Sequence, residues 1–397
     1  MVSRRDILRA TGVGLVACTI PGLALARANT DARFVLVILR GAADGLAIAP
    51  PYGDGHYART RGELAFPAGE INKLDGLFGL HPALADIHDQ YRQRQALVVH
   101  AVASPYRERS HFDGQDVLEN GAAGVGLQRD GWLNRALAPL GGSLGNEAAI
   151  AMAQNTPLVL RGDNSVTSWV PSALPDAEDS TIERLRDLYA GDEFFATRLT
   201  QALDAQAIAE ADSGMGQMNS RGNEAQQLQT LASATARFLT AEAGPRIAVL
   251  EAGGWDTHAN QGTATGALAN RLKGLDEGLG TLRRELGDTW SKTVVAVVTE
   301  FGRTVAVNGT RGTDHGTASA AILVGGAVEG GRVLADWPGL RNSDLYQGRD
   351  LRPTTDLRSV FKGVLAEHLD MPDSWLETSV FPDSAAANPM RGLVNRT

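Results

Sequence analysis

Five apolar runs, at residues 34–39, 96–103, 246–251, 293–299 and 320–324, restrict the folds open to this chain more than any other feature of its sequence. Each is short, rich in Val, Leu, Ile and Ala without polar alternation, and flanked by Gly or charged residues. That is the pattern of strands buried on both faces of a mostly parallel sheet. Segments of helical period lie between them, at 82–94, around 110–120, and at 180–209, 224–241, 266–286 and 355–368. The alternation predicts an α/β fold, a three-layer α/β/α sandwich around a mostly parallel central sheet, with ligands beyond the carboxyl ends of the strands. From about 142 to 244 the rhythm gives way to short strands and long polar helices. We read this stretch as a helical cap inserted into a single domain spanning 27–397, with residues 211–222 as a mobile connection inside it.

The core this implies is within reach of the composition, since 43% of the 397 residues are apolar and 21% charged. A formal net charge of -9 argues against nucleic acid as a partner, because phosphate neutralisation needs clustered Lys and Arg. The only cysteine is Cys18. It falls inside a segment with the marks of an export leader: Ser3-Arg4-Arg5-Asp6-Ile7-Leu8-Arg9 resembles the twin-arginine consensus, residues 10–25 are apolar, and Ala24-Leu25-Ala26 offers a small-residue cleavage site. The expectation is a twin-arginine signal peptide at 1–26, the twin-arginine translocase as partner during export, and a periplasmic or secreted protein with no disulfide. Leu15-Val16-Ala17-Cys18 also resembles a lipoprotein box and leaves a lipid anchor through Cys18 open. Beyond the leader no apolar stretch has the roughly 20 residues a membrane span requires.

Chemistry-bearing residues gather after the expected strands. The first strand runs into Leu39-Arg40-Gly41-Ala42-Ala43-Asp44-Gly45, and the second is followed by Tyr106-Arg107-Glu108-Arg109-Ser110-His111-Phe112. The third leads to Gly253-Gly254-Trp255-Asp256-Thr257-His258, the fourth to Glu300-Phe301-Gly302-Arg303, and Asp314-His315-Gly316 precedes the fifth. Asp44, Asp256, His258, Glu300, Asp314 and His315 are therefore the candidate ligands of a divalent metal, one or two ions, with Zn, Mn, Mg and Ca all compatible with carboxylates and imidazoles. Ser110, ahead of an expected helix, is either an N-cap or a nucleophile. His111 is a candidate ligand or transition-state donor, and Arg107 and Arg109 have the fork geometry to grip an anionic ester. His81, His88, His100 and His368 read as structural, and His56 is left undecided.

These motifs, in this order behind such a leader, resemble domain-of-unknown-function family 1501, and the Gly-Gly-Trp-Asp-Thr-His and Glu-Phe-Gly-Arg elements are its specific marks. That family is similar to the alkaline phosphatase and sulfatase superfamily, whose members hydrolyse phosphate or sulfate esters on an α/β/α sandwich, usually with two metals. The resemblance implies that Asp44 is the first-strand metal aspartate, Ser110 the nucleophile, Asp256 and His258 a ligand pair, and His315 the last histidine ligand. Glu300 stands where an Asp-His pair belongs, and Phe301 cannot replace that imidazole, so the resemblance leaves the second metal open.

The expected function is a metal-dependent hydrolase of a small anionic ester. The alternative is a catalytically inactive cell-envelope protein of the same fold that binds metal or a glycan. A serine esterase finds no Gly-x-Ser-x-Gly elbow here, and there is no His-Glu-x-x-His helix or phosphate-binding P-loop.

Overall fold

A computed structural model describes residues 31–395 apart from 68, 141–147, 172–178, 211–223 and 243. The leader with Cys18 and the connection at 211–222 lie outside the described residues. The strands of the main sheet are β1 (Arg33–Leu39), β2 (Ala96–Ala103), β3 (Ala149–Ala151), β4 (Thr167–Ser168), β5 (Ile247–Ala252), β6 (Thr293–Thr299), β7 (Ser319–Val324), β8 (Arg332–Leu334) and β9 (Thr355–Asp356). They form one nine-stranded sheet in the order β8-β2-β7-β6-β1-β5-β3-β4, with β9 beside β2. β1 pairs in parallel with β5 and β6, whereas β7 runs antiparallel to both β2 and β6. The reversal of β7 brings the loop that enters it to the same edge as the loops that leave β1, β2, β5 and β6.

Continuous burial of β1, β2, β6 and β7 is the reason these strands read as unbroken apolar runs. Alternate residues serve opposite layers. Phe34, Leu36 and Ile38 pack with Trp132, Phe361, Val364 and Phe381, while Val35, Val37 and Leu39 pack with Leu84, Phe238, Leu272 and Leu279. Each such side chain taken fully out of water contributes on the order of 1.5–3 kcal/mol before the entropy of ordering it. Helices α1 (Ala85–Arg92), α5 (Glu224–Thr240) and α6 (Ala267–Leu286) supply the second layer, and α7 (Leu357–His368) lies in the first. Helix α2 (His111–Asn120) follows β2, and α3 (Asp179–Tyr189) and α4 (Glu193–Glu210) lie in the long stretch before β5. This is the three-layer α/β/α sandwich with its mostly parallel sheet.

Two details of the expected layout change. Within the stretch 142–244, β3 and β4 extend the main sheet from the side of β5, and α5 packs along α6. An apolar run as short as Ala149–Ala151 carries too little periodicity to be told from a loop. The helix expected at 180–209 is two helices, because Gly191 interrupts it and the Asp192 carboxylate caps the restart, accepting from the amides of Phe194 and Phe195 at 3.1 and 3.2 Å.

Candidate metal centre

The loops at the sheet edge are held against one another by backbone. Gly41, at φ 120°, lies so close to the β5 loop that a Cβ there would stand 2.7 Å from the amide nitrogen of Asp256. Gly302 donates to the carbonyl of Thr317 at 2.9 Å and accepts from the amide of Gly316 at 2.8 Å. A Cβ on Gly302 would sit 1.8 Å from the carbonyl oxygen of Ala318. Gly302→Ala is therefore expected to pry the β6 loop off the entry to β7 and cost about 1–3 kcal/mol, which a urea titration of both proteins would measure.

Three imidazoles meet at one carboxylate in this setting. Asp256 Oδ1 lies 3.1 Å from His258 Nε2 and 3.2 Å from His315 Nε2, and Asp256 Oδ2 lies 3.4 Å from His111 Nε2. The Nε2 atoms of His258 and His315 are 3.0 Å apart. On the far side of each ring, Nδ1 has an oxygen to donate to: Glu300 Oε1 for His111 at 2.9 Å, the carbonyl of Arg109 for His315 at 3.0 Å, and Asp314 Oδ1 for His258 at 3.3 Å. In the neutral rings, with the proton held at Nδ1, all three Nε2 lone pairs point inward at a carboxylate. The Nε2 of His111 is buried without a hydrogen-bond partner. Lone pairs so gathered repel one another unless a cation sits among them, and a donating Nδ1 is the usual outer support of a metal-bound histidine. Ligand atoms of His111, Asp256 and His315 all lie within 4.8 Å of one another. The donor set fits a divalent metal.

Charge in the cluster is arranged to match. Burial would raise the Asp256 carboxyl, but Arg303, donating at 2.5 Å, and the neighbouring His258 and His315 hold it below the usual range. Glu300, fully buried, is likewise kept low against its burial by hydrogen bonds from His111, the Gly41 amide and the Thr299 hydroxyl. Asp314 is lowered by the Asn308 amide, which donates at 3.0 Å, and by His258. His111 is raised by its bond to Glu300, whereas burial and the nearby His111 lower His315.

Of the residues expected to ligate, the structure thus brings Asp256, His258 and His315 together and adds His111 to them. Glu300 and Asp314 stand one step out, each on an imidazole Nδ1. Asp44 is not among them. It is wholly buried at the N-cap of the short helix Gly45–Ile48, where Oδ1 accepts from the amide of Leu46 and Oδ2 is taken by Arg61 at 2.5 Å and Gln261 at 2.7 Å. The strand β1 itself is followed by Arg40, whose guanidinium bridges Glu119 and Glu251. Ser110 does sit at the N-cap position of α2, yet its side chain makes no capping bond. Arg109, at φ 66°, gives its guanidinium to Asp350 at 2.8 Å and Gln347 at 2.7 Å, so what it turns to the cluster is its carbonyl and not the expected anion clamp. Arg107 likewise donates to the carbonyls of Ser104 and Tyr106. Phe301, in place of an imidazole, stacks on His111 with ring centres 5.1 Å apart and packs with Ala42, Tyr106 and Val117. Arg303, Gln261, Thr313 and Asn308 support the cluster without having been expected to.

An α/β/α sandwich with a histidine and aspartate cluster at the carboxyl edge of its sheet defines the class. The chain belongs to the family described as protein of unknown function DUF1501, which matches residues 94–378. No curated protein matches it in sequence. Among solved structures it is similar to the phosphonate monoester hydrolase of Agrobacterium radiobacter, at 10% identity over 86% of this chain and 74% of that one, with a TM-score of 0.40. It is similar as well to the C-terminal periplasmic domain of EcEptC from Escherichia coli, at 9% identity over 90% of this chain and 88% of that one, with a TM-score of 0.42. The same domain in complex with Zn matches at 8% identity over 75% and 74%, with a TM-score of 0.38. At these identities and scores the likeness is one of general architecture and bears on no residue of the cluster.

Proposed function

We propose that this chain is an exported metal-dependent hydrolase of phosphate or sulfate esters with Ser110 as nucleophile. The observation that carries the reading is the convergence of the His111, His258 and His315 Nε2 atoms on Asp256, each with its Nδ1 already satisfied. His111, Asp256 and His315 would hold one divalent cation, with His258 beside them. Imidazole nitrogens beside a carboxylate favour Zn over Mg or Ca. When bound, the metal supplies a positive charge that lowers the pKa of a nearby hydroxyl and neutralises an ester oxygen. Phe301, filling the place of a further imidazole, argues for a single ion.

The chain's own groups do the remainder. Ser110 offers a hydroxyl that is not spent on capping, directly before His111 and at the N-terminus of α2, whose amides favour an anion. Glu300 and Asp314 fix the tautomers of His111 and His258, and Arg303 keeps Asp256 ionised. Asp256 and His258 are the accessible face of the cluster, with side chains 40% and 44% exposed, so a substrate would approach there.

A panel of aryl phosphate and sulfate esters tests the proposal. We expect turnover that chelation abolishes and a divalent ion restores, and a loss of about 10³-fold or more in kcat for Ser110→Ala, in line with removing an attacking group. The second reading, an envelope protein that binds metal without turnover, draws on Arg107 and Arg109, whose guanidinium groups are engaged within the protein. Stoichiometric metal with no ester hydrolysed would favour it. The 1–26 signal bears on place rather than chemistry, and finding the mature protein in the periplasmic fraction would support export. No helix among the described residues is long and apolar enough to cross a membrane.

A further inference from the structure

Asp44 lies apart from the histidines, yet a continuous buried chain of hydrogen bonds leads from it to Asp256. Gln261 Nε2 donates to Asp44 Oδ2 at 2.7 Å, and Gln261 Oε1 accepts from the hydroxyls of Thr257 at 2.8 Å and Thr313 at 2.7 Å. Thr313 Oγ1 in turn accepts from Arg303 Nε at 3.1 Å, and Arg303 Nη1 donates to Asp256 Oδ1 at 2.5 Å. Asp44, Arg61, Gln261, Thr257, Thr313 and Arg303 are all buried.

The polarity of this chain is set at one end. A carboxylate only accepts, so Asp44 obliges Gln261 to present its NH₂ and therefore to turn its carbonyl toward the threonines. Both hydroxyl protons are then spent on that carbonyl, and Thr313 keeps its lone pairs for Arg303. The guanidinium, fixed at Nε by Thr313 Oγ1 and at Nη2 by the Thr313 carbonyl, has Nη1 left for Asp256. Thr257, next to Asp256 in sequence, is tied to the same amide.

We propose that Asp44 and Gln261 are positioning residues: through Thr313 and Arg303 they fix the orientation of Asp256 at the histidine cluster. The part of this that concerns metal affinity rests on the metal reading above; the part that concerns Arg303 and Asp256 does not.

Asp44→Asn is the direct variant, but it leaves the buried Arg61 without its counter-charge and can fail to fold. Thr313 gives a cleaner test, because Val matches Thr in shape and lacks the hydroxyl, whereas Ser keeps the hydroxyl and lacks the methyl. Dissociation constants for Zn and Mn, measured by chelator competition, are expected to rise about 10-fold in Thr313→Val and Gln261→Met and less than about 2-fold in Thr313→Ser, the usual scale for groups that orient a ligand. In an Arg303→Met background Thr313→Val should change nothing further. A packing role reverses the order of Ser and Val, and an undiminished Thr313→Val effect without Arg303 breaks the relay; either outcome overturns the proposal. Should the wild-type protein take up neither metal, the metal reading falls, and the crystal structure of metal-free Thr313→Val still decides: Arg303 displaced from Asp256 upholds the relay, and Arg303 unmoved at 2.5 Å ends it.

Discussion

Asp256→Ala is expected to lose divalent metal affinity by about 10³-fold or more, roughly 4 kcal/mol of binding, and with it any ester hydrolysis. Asp256 is the single group that all three imidazoles face, Oδ1 lying toward His258 and His315 and Oδ2 toward His111. Removing it takes away one proposed ligand and, among the described residues, the only negative charge in immediate contact with the three Nε2 atoms. Outer partners are expected to matter less. Glu300→Gln keeps an acceptor for His111 Nδ1 and should weaken binding by about 10-fold to 100-fold, as replacement of a group that orients a metal ligand usually does. The measurement is chelator competition on protein whose circular dichroism matches wild type. Equal affinities for wild type and Asp256→Ala would place the metal elsewhere and remove the basis for the hydrolase.

The central sheet was legible in the sequence because buried parallel strands leave an unbroken apolar signature, and β1, β2, β5, β6 and β7 all carry it. β3, β4, β8 and β9 have two or three residues each, too few for any period to show. The place of the cluster followed from the sheet, since loops that leave parallel strands share an edge. What sequence left hidden was the division of labour among similar residues. An aspartate that would bind a metal and one that caps a helix or answers a buried arginine read alike as letters. Asp44 became the anchor of a buried network because Arg61 and Gln261, far from it in sequence, reach its carboxylate. Glu300 and Asp314 moved outward because imidazole nitrogens intervene between them and Asp256. His111 could be read as a ligand or a donor, and the direction of its ring, Nδ1 on Glu300 and Nε2 toward Asp256, was not legible in the sequence.

Acid is expected to unfold this protein earlier than its carboxylates alone would require, because two histidines are buried in the neutral form. Burial pushes both His100 and His368 down from 6.5 to about 4. In His100 both ring nitrogens are occupied, Nε2 donating to the Ala49 carbonyl at 3.0 Å and Nδ1 accepting from the Ala101 amide at 2.7 Å. A second ring proton would break the bond to Ala101, a residue held at φ 53° in the β2 bulge. His368 donates Nε2 to the carbonyl of Arg33 at 2.8 Å and so ties α7 to the start of β1. Since the unfolded chain binds these protons near pH 6.5 and the folded one does not until about 4, the unfolded state carries more protons across that window and stability rises with pH through it. It is complete above the unfolded value and is lost as pH falls through the folded one, by about 3 kcal/mol for each histidine. The two together amount to a large share of the 5–15 kcal/mol typical of a folded domain. Urea midpoints at pH 7, 5.5 and 4.5 should fall steeply for the wild type. His100→Gln and His368→Gln, each less stable at pH 7 through lost packing, should show about half that dependence, and a wild-type midpoint that stays level between pH 7 and 4.5 would mean that these imidazoles are charged in the native state.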